Sequence, residues 1–551
     1  MSVKRYGIYL AYAPTVDLRN EGLGRYLAAF LRGVSKREDV HFVIVCPSWS
    51  RESLARLFES EQVPHQCMEI LAPDKVPVVL RLYQSWFDYR KRKRKSLRLG
   101  DLVNSLRNYK NHVVENTLHR IVTAESVGML ILRMLPIFLM VLAFLGLMPL
   151  WLVAGLVVGG GFIGRRFFKR IIKRLGKLQK RLQVVVAQPK DDGLVLRMYR
   201  VMEQHEGRRM LMLINSLREI RAWYCPTAFW PAFNDIKAPS LMCVPDVVLA
   251  DFPVGFAGVG GDRFLDSFQQ VENAIRGGQH FVTYSNCVKW DTLVDRYAVS
   301  PERVAVVHHA PNVLNHWVDV VGLADPAAAS RNYCQHLLIN AIQRSFNLVY
   351  AKSFQNRELK FLFYASQLRP NKNVLTLLRA YEHLLRKRFI GHKLIMTGNP
   401  TTFPTVHQFV KEHHLENEVL FLHGLKPQEL AACYKLADLA VNPSLSEGGC
   451  PFTFTEALSV DTPVVMARIP VTEEVLMDPE LQEATFFDPY DWQSLAERIE
   501  WALAHRDDLL VIQRRTYAEL SRRTWADVVD EHLVVLERIA QLPEQSTDGV
   551  A

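Results

Sequence analysis

From Phe361 to Ala467 the chain alternates short apolar runs with longer segments of helical periodicity, and no other feature narrows the possible folds as far. The runs are Phe361 to Ala365, Lys393 to Thr397, Val419 to Leu422, Leu439 to Asn442 and Pro463 to Ala467. Between them lie Val374 to Lys387, Val406 to His413, Pro427 to Leu436 and Pro451 to Ser459. Strands separated by helices at this spacing predict an open, doubly wound parallel sheet. The first half has the same rhythm, in Tyr6 to Ala13, His41 to Cys46, Trp223 to Pro226, Ser240 to Leu249, Phe281 to Ser285 and Val304 to His308. Runs this apolar suit sheets covered on both faces. With 551 residues there is enough chain for two or three cores. The expected fold class is α/β, with two Rossmann-like lobes facing a cleft.

One segment breaks the rhythm. Met134 to Gly164 is 31 residues without a charge, broken by Pro149 and by glycines at 146, 155, 159, 160 and 161. A bilayer-crossing helix takes about 20 apolar residues, so the segment is too long for one upright span and too short for two. Basic residues crowd both sides, at Arg90 to Lys95 and in the nine Lys and Arg of Arg165 to Arg181. That puts both ends on the cytosolic face and predicts a hairpin or re-entrant loop followed by a basic interfacial helix. A helical hairpin buried in a soluble core is the bland alternative.

Charge sharpens the picture. Between Arg90 and Arg181 there are 20 Lys and Arg against Asp101, Glu115 and Glu125, a local balance of +17 in a chain whose total is +10. The rest therefore carries about −7. A basic excess confined to one block predicts anionic lipid as partner and argues against nucleic acid. The eight cysteines show no C-x-x-C pair, and the N-terminus has no apolar stretch ending in a cleavage site. Both features lead us to expect lobes that stay in the cytosol, on the inner membrane.

The chemistry concentrates in Ser444 to Leu458, read as SLSEGGCPFTFTEAL. It joins a strand end to a helix. Gly448 and Gly449 let backbone approach a ligand, and the helix behind Pro451 offers free N–H groups to a phosphate. Glu447 and Glu456 supply carboxylates that accept paired hydroxyl bonds from a hexose and a ribose. Helix capping is the plain alternative for both.

This stretch resembles the two-glutamate signature of the retaining GT-B glycosyltransferases called group 1, or family four, with one residue more between the glutamates than the family has. The resemblance covers about Phe361 to Arg523, and the first lobe more weakly. It implies catalytic roles for Glu447, Lys372 and Arg369, the two cations neutralising a donor diphosphate from the turn Ser366 to Asn373; Arg369 stands about two residues later than the family's arginine. It implies donor contacts from Glu456, Gly448, Gly449, Cys450 and Thr453. Gly22 and Gly24, in Asn20 to Arg25, resemble the family's glycine loop; an ordinary tight turn fits them equally. Asp246 falls where relatives have His-Asp and is expected on the acceptor side, although Pro245 replaces the histidine; a helix-capping role fits it equally. His308 and His309 diverge on a strand and are read as structural, no D-x-D pair ends a strand, and no metal or other cofactor is expected beyond the nucleotide-diphosphate sugar itself.

The expected organisation is a first lobe in two parts, 1–89 and 188–350, the membrane element at 90–187, a donor-binding lobe at 351–525, and a C-terminal helix and tail at 526–551. The expected activity is transfer of a sugar, with retention, to a lipid-linked or polysaccharide acceptor in envelope or exopolysaccharide synthesis. A sugar-nucleotide epimerase of the same fold and a catalytically inactive membrane scaffold are the rivals.

Overall fold

The computed structural model describes residues 3–14, 16, 18, 22–82, 128, 129, 131, 134, 194–260, 262–344, 359–400 and 403–542. They form two parallel-sheet lobes. The first sheet is built from β1 (Lys4–Tyr9), β2 (Val40–Val45), β3 (Met68–Leu71), β4 (Trp223–Cys225), β5 (Ser240–Cys243), β6 (His280–Thr283) and β7 (Val304–Val306). The second holds β8 (Phe361–Tyr364), β9 (Lys393–Thr397), β10 (Val419–Leu422), β11 (Leu439–Asn442), β12 (Val464–Ala467) and β13 (Phe486–Phe487). Every pairing in both is parallel. β8, β11 and β12 are buried along their whole length, as sheets covered on both faces require.

The strand orders are β3-β2-β1-β4-β5-β6-β7 and β10-β9-β8-β11-β12-β13. Each order reverses beside the first strand of its lobe, between β1 and β4 and between β8 and β11. Connections on the two sides of such a point run in opposite directions, which leaves a crevice at the carboxyl ends of the strands.

Nine helices carry the account: α1 (Gly22–Val34), α2 (Leu194–Ser216), α3 (Pro253–Gly260), α4 (Asp262–Gly277), α5 (Pro326–Gln343), α6 (Pro427–Leu436), α7 (Phe452–Leu458), α8 (Pro470–Val475) and α9 (Trp525–Ala540). The expected strand Ser240 to Leu249 is shorter than the apolar run. It ends at Cys243, and Val248–Asp251 is a helical turn, so Pro245 and Asp246 lie on the connecting loop.

Two boundaries differ from those read in the sequence. The chain enters the second lobe well before residue 350: Leu314 and Val318, with Cys334, Leu338, Ala341 and Ile342 of α5, belong to the core that holds Ala431, Tyr434 and Phe454. Helical periodicity shows that α5 has a buried face, not which sheet it covers. α9 returns to the first lobe instead of standing apart. Val528, Val529, Leu533 and Leu536 pack with Phe30, Phe42 and Tyr224. A Cβ on Gly33 would stand 2.4 Å from the Trp525 carbonyl oxygen, so helix and helix meet backbone to backbone. Thr524 caps α9, exchanging bonds with Asp527. Glu537 accepts bonds from Tyr6 and from Arg221 at 2.9 Å.

Among the described residues no helix is long and apolar enough to cross a membrane. The hairpin expected at Met134 to Gly164 lies, apart from Met134, outside the described residues, as do the basic segments 90–95 and 165–181.

Because Leu536 is fully buried between the lobe-1 sheet and α1, Leu536→Ala should cost about 2–5 kcal/mol. The expected readout is a lower urea midpoint for the transition that includes the first lobe.

Candidate active site

The second lobe's reversal point fixes where its polar residues go. The chain leaves β8 through Ala365–Asn373 and β11 through Pro443–Pro451, one loop on each side of the crevice. After β8, Pro370–Lys372 makes a single 3-10 turn. Asn373 closes it in the left-handed region at φ 52°, which asparagine tolerates, and its Nδ2 donates to the Pro489 carbonyl at 2.7 Å. The two loops are tied by backbone, Leu445 N–H donating to the Asn371 carbonyl at 2.8 Å. Beneath them the Tyr364 and Ser444 hydroxyls share a bond at 3.1 Å.

This scaffold brings Lys372 Nζ to 2.6 Å from Glu447 Oε1. Burial pulls the lysine pKa down, but the carboxylate of Glu447, the Tyr364 phenol and Asp246 outweigh it, and the net shift is upward. The ammonium is thus a fixed charge. Asp246 faces it from the first lobe. Burial lifts its carboxyl from 3.8 to about 6, while Lys372 works in the opposite direction and Glu447 adds to the rise. Arg369 is exposed, bonded to Gln367, and close enough to favour the ionised form of Asp246.

At Gly448 and Gly449 the lobes touch closely. A Cβ on Gly448 would fall 1.9 Å from the Pro245 carbonyl oxygen, and one on Gly449 2.8 Å from the Tyr284 Cβ and 3.0 Å from His309 Nε2. Only glycine fits either place. Ser285 Oγ donates to the Gly448 carbonyl at 3.0 Å. The ring of His309 lies 4.5 Å from that of Phe452, and burial lowers its pKa to about 4, so it is a neutral packing element.

Glu456, 2% exposed in the middle of α7, also looks across the interface. Its Oε1 accepts from Arg25 Nη1 at 3.0 Å and from Asn312 Nδ2 at 3.2 Å. Glu456 stands beside the buried Tyr434 phenol, whose pKa burial drives well upward with Glu456 adding to it. Thr453 lies one turn earlier on the same helix and is buried. Cys450 is partly covered, its thiol pushed up to about 12 by burial.

Gly22 and Gly24 open α1. Gly24 is required by packing, since a Cβ would stand 2.1 Å from the Leu18 carbonyl; Gly22 faces open space. Among the described residues no group of three His, Cys, Asp or Glu side chains is arranged to hold a metal ion.

Sequence reasoning missed three contributors. Arg25 directly follows the glycine loop, where a lone arginine at a helix start carries no signal of its own. Asn312 follows Pro311 just beyond β7, where a polar residue at a strand's carboxyl end was a signal to follow. Glu474 on α8 accepts from Asn286 N–H at 2.8 Å, Asn286 Nδ2 at 3.1 Å and Cys287 N–H at 2.9 Å, a second latch between lobes. Nothing local in the sequence marks it.

The family described as Glycosyl transferases group 1 matches residues 349–519, which take in the whole second sheet but not α5. The O-antigen chain mannosyltransferase RfbU of Salmonella typhimurium strain LT2 is 35% identical over 111 residues, 19% of this chain and 30% of RfbU. The serotype-specific mannosyltransferase WbdA of Escherichia coli is 24% identical over 200 residues, 35% of this chain and 23% of WbdA. The chain thus spans less than a third of either relative. Among solved structures, the N-terminal domain of Candida albicans trehalose-6-phosphate phosphatase aligns over 98% of this chain and 97% of its own, with a TM-score of 0.53 and 11% identity. At that identity the likeness speaks for the two-lobed GT-B fold alone. It is in the second lobe, over residues 349–519, that the chain matches the group 1 glycosyltransferase family.

Proposed function

We propose that this protein transfers a sugar from a nucleotide-diphosphate donor to a glycan or lipid-linked acceptor, with retention and without a metal ion. The observation that carries the reading is the placement of Lys372, Glu447 and Glu456 around one crevice at the carboxyl edge of the family-matched lobe. Lys372, with Arg369 at the rim, meets the diphosphate. As the bond from the anomeric carbon to the phosphate oxygen breaks, negative charge grows on the leaving group, and cations already in position stabilise it most. Glu447 fixes the lysine and faces the sugar hydroxyls; Glu456 takes the ribose; Gly448 and Gly449 let backbone come close to the donor, with Cys450 and Thr453 beside them and Gly22 and Gly24 across the cleft. The acceptor oxygen bonds the anomeric carbon from the face the phosphate leaves, and its proton passes to the departing phosphate oxygen. Asp246 sits on the acceptor side. Both curated relatives are mannosyltransferases, so a mannosyl nucleotide is the first donor to test.

The same reading places the protein on the cytosolic face of the inner membrane, with Met134 to Gly164 entering as a hairpin beside anionic lipids, in envelope polysaccharide synthesis. Two features support this. Strands β1–β3 precede the insertion and β4–β7 follow it within one sheet, so both of its ends belong to one lobe. Those ends also leave the lobe beside an apolar surface. Leu80 packs on Met202 of α2, and Arg200 of α2 pairs with Asp266 of α4, next to α3. On α3, which reads PVGFAGVG, Val254 is 86% exposed.

Glu456→Ala and Lys372→Ala should each weaken binding of the donor diphosphate by about 1.5–3 kcal/mol in calorimetry while leaving the unfolding transition in place. Unchanged affinity in both removes the donor assignment, and turnover that stops with chelator removes metal independence.

Asp246 supplies a pH test. Its carboxyl keeps a proton to about pH 6 folded but only to 3.8 unfolded, so between those values the folded state binds more protons and stability falls as pH rises. Asp246→Asn should match the parent near pH 4 and exceed it by on the order of 2–3 kcal/mol at pH 7 in urea unfolding.

For the membrane part, cysteines introduced at Asn104 and at Gln188 should label from the same face of sealed vesicles. Labelling from opposite faces rules out the hairpin.

A further inference from the structure

We infer that Arg25 and Asn312 are positioning residues that aim the Glu456 carboxylate at the donor ribose, and that this three-way joint is complete only when the lobes are together. The inference rests on the donor reading above and adds to it Arg25 of the first lobe and Asn312 of the segment that crosses to the second.

The geometry is specific. Both donors fall on the same oxygen, Oε1, from Arg25 at 3.0 Å and Asn312 at 3.2 Å, so together they fix the direction in which the second oxygen points. A buried glutamate on a helix otherwise retains rotation about three side-chain bonds. Loss of that freedom before the ligand arrives lowers the ordering cost of binding.

The two donors differ in what they are attached to. Asn312 lies on the crossing segment, which is fastened to α7: Leu314 N–H donates to Ser459 Oγ at 3.0 Å, and Ser459 Oγ donates to the Glu456 carbonyl at 2.7 Å. Asn312 therefore moves with the carboxylate it holds. Arg25 is anchored on α1, between the lobe-1 sheet and α9. Its side chain is 38% exposed, whereas the Glu456 side chain is 3% exposed. Separation of the lobes takes Arg25 away and leaves Asn312 in place. Ribose recognition is in this way coupled to cleft closure through one hydrogen bond.

The test uses the full chain in detergent and calorimetric titration with GDP, UDP and ADP. The best-bound of the three is then compared with its 2′,3′-dideoxy counterpart, so that the readout is ribose discrimination and not affinity in general. Arg25→Ala and Asn312→Ala should each reduce the parent's discrimination three- to tenfold. Either change combined with Glu456→Ala should add nothing to Glu456→Ala alone, because both act through that carboxylate, and Arg25→Lys should restore part of the loss. A general structural defect would lower affinity for both nucleotides alike and add to Glu456→Ala.

If Glu456→Ala removes discrimination while Arg25→Ala and Asn312→Ala keep it, the joint is idle and the donor reading stands. Tighter binding by Arg25→Ala would mean that the guanidinium occupies the ligand's place, which overturns the inference. Full discrimination in Glu456→Ala itself would remove the donor reading, and the joint with it.

Discussion

The contact between Gly448 and Pro245 sets the terms for the rest of the molecule. Backbone lies on backbone there, with a Cβ position only 1.9 Å from a carbonyl oxygen, so the loop after β11 reaches the first lobe without any side chain between. That approach allows the Ser285 bond, puts Glu447 and Lys372 opposite Asp246, and brings Glu456 within reach of Arg25. A larger residue at 448 would hold the lobes apart, and the charged groups of the two sides would face water instead of each other. Interactions of this kind weaken steeply as solvent enters.

Much of this was legible in the sequence because it follows from local pattern. The alternation after Phe361 shows where strands end and helices begin, and the reversal of strand order then forces the loops carrying Lys372 and Glu447 to one crevice. The extra residue between Glu447 and Glu456 does not push either out of the cleft. What the sequence could not show depends on partners far away along the chain. Glu474 latches Asn286, 188 residues distant, and Arg25 reaches Glu456 across 431. α5 was assigned to the wrong lobe for the same reason: its apolar face is evident, but the surface that covers it is not. The run Ser240 to Leu249 shows a different limit, since hydrophobicity continued past Cys243 while Pro245 had already ended the ladder.

The electrostatics of the cleft are balanced internally. One lysine is placed among Glu447, Asp246 and the Tyr364 phenol, and its pKa rises despite burial. Such an arrangement tolerates a buried cation because its partners are in hand, and it gives an arriving anion a charge that does not have to be gathered from solution.

Among the described residues the chain passes between the lobes twice, near residues 311–314 and again near 521–524. The two passes touch: Arg523 Nε and Nη2 donate to the His308 carbonyl at 3.0 and 2.7 Å. A body joined to another by one flexible strand can swivel in any direction, but one joined by two neighbouring strands has a preferred axis. The return of α9 to the first lobe therefore does more than bury apolar surface. It turns the connection from a swivel into a door hinge.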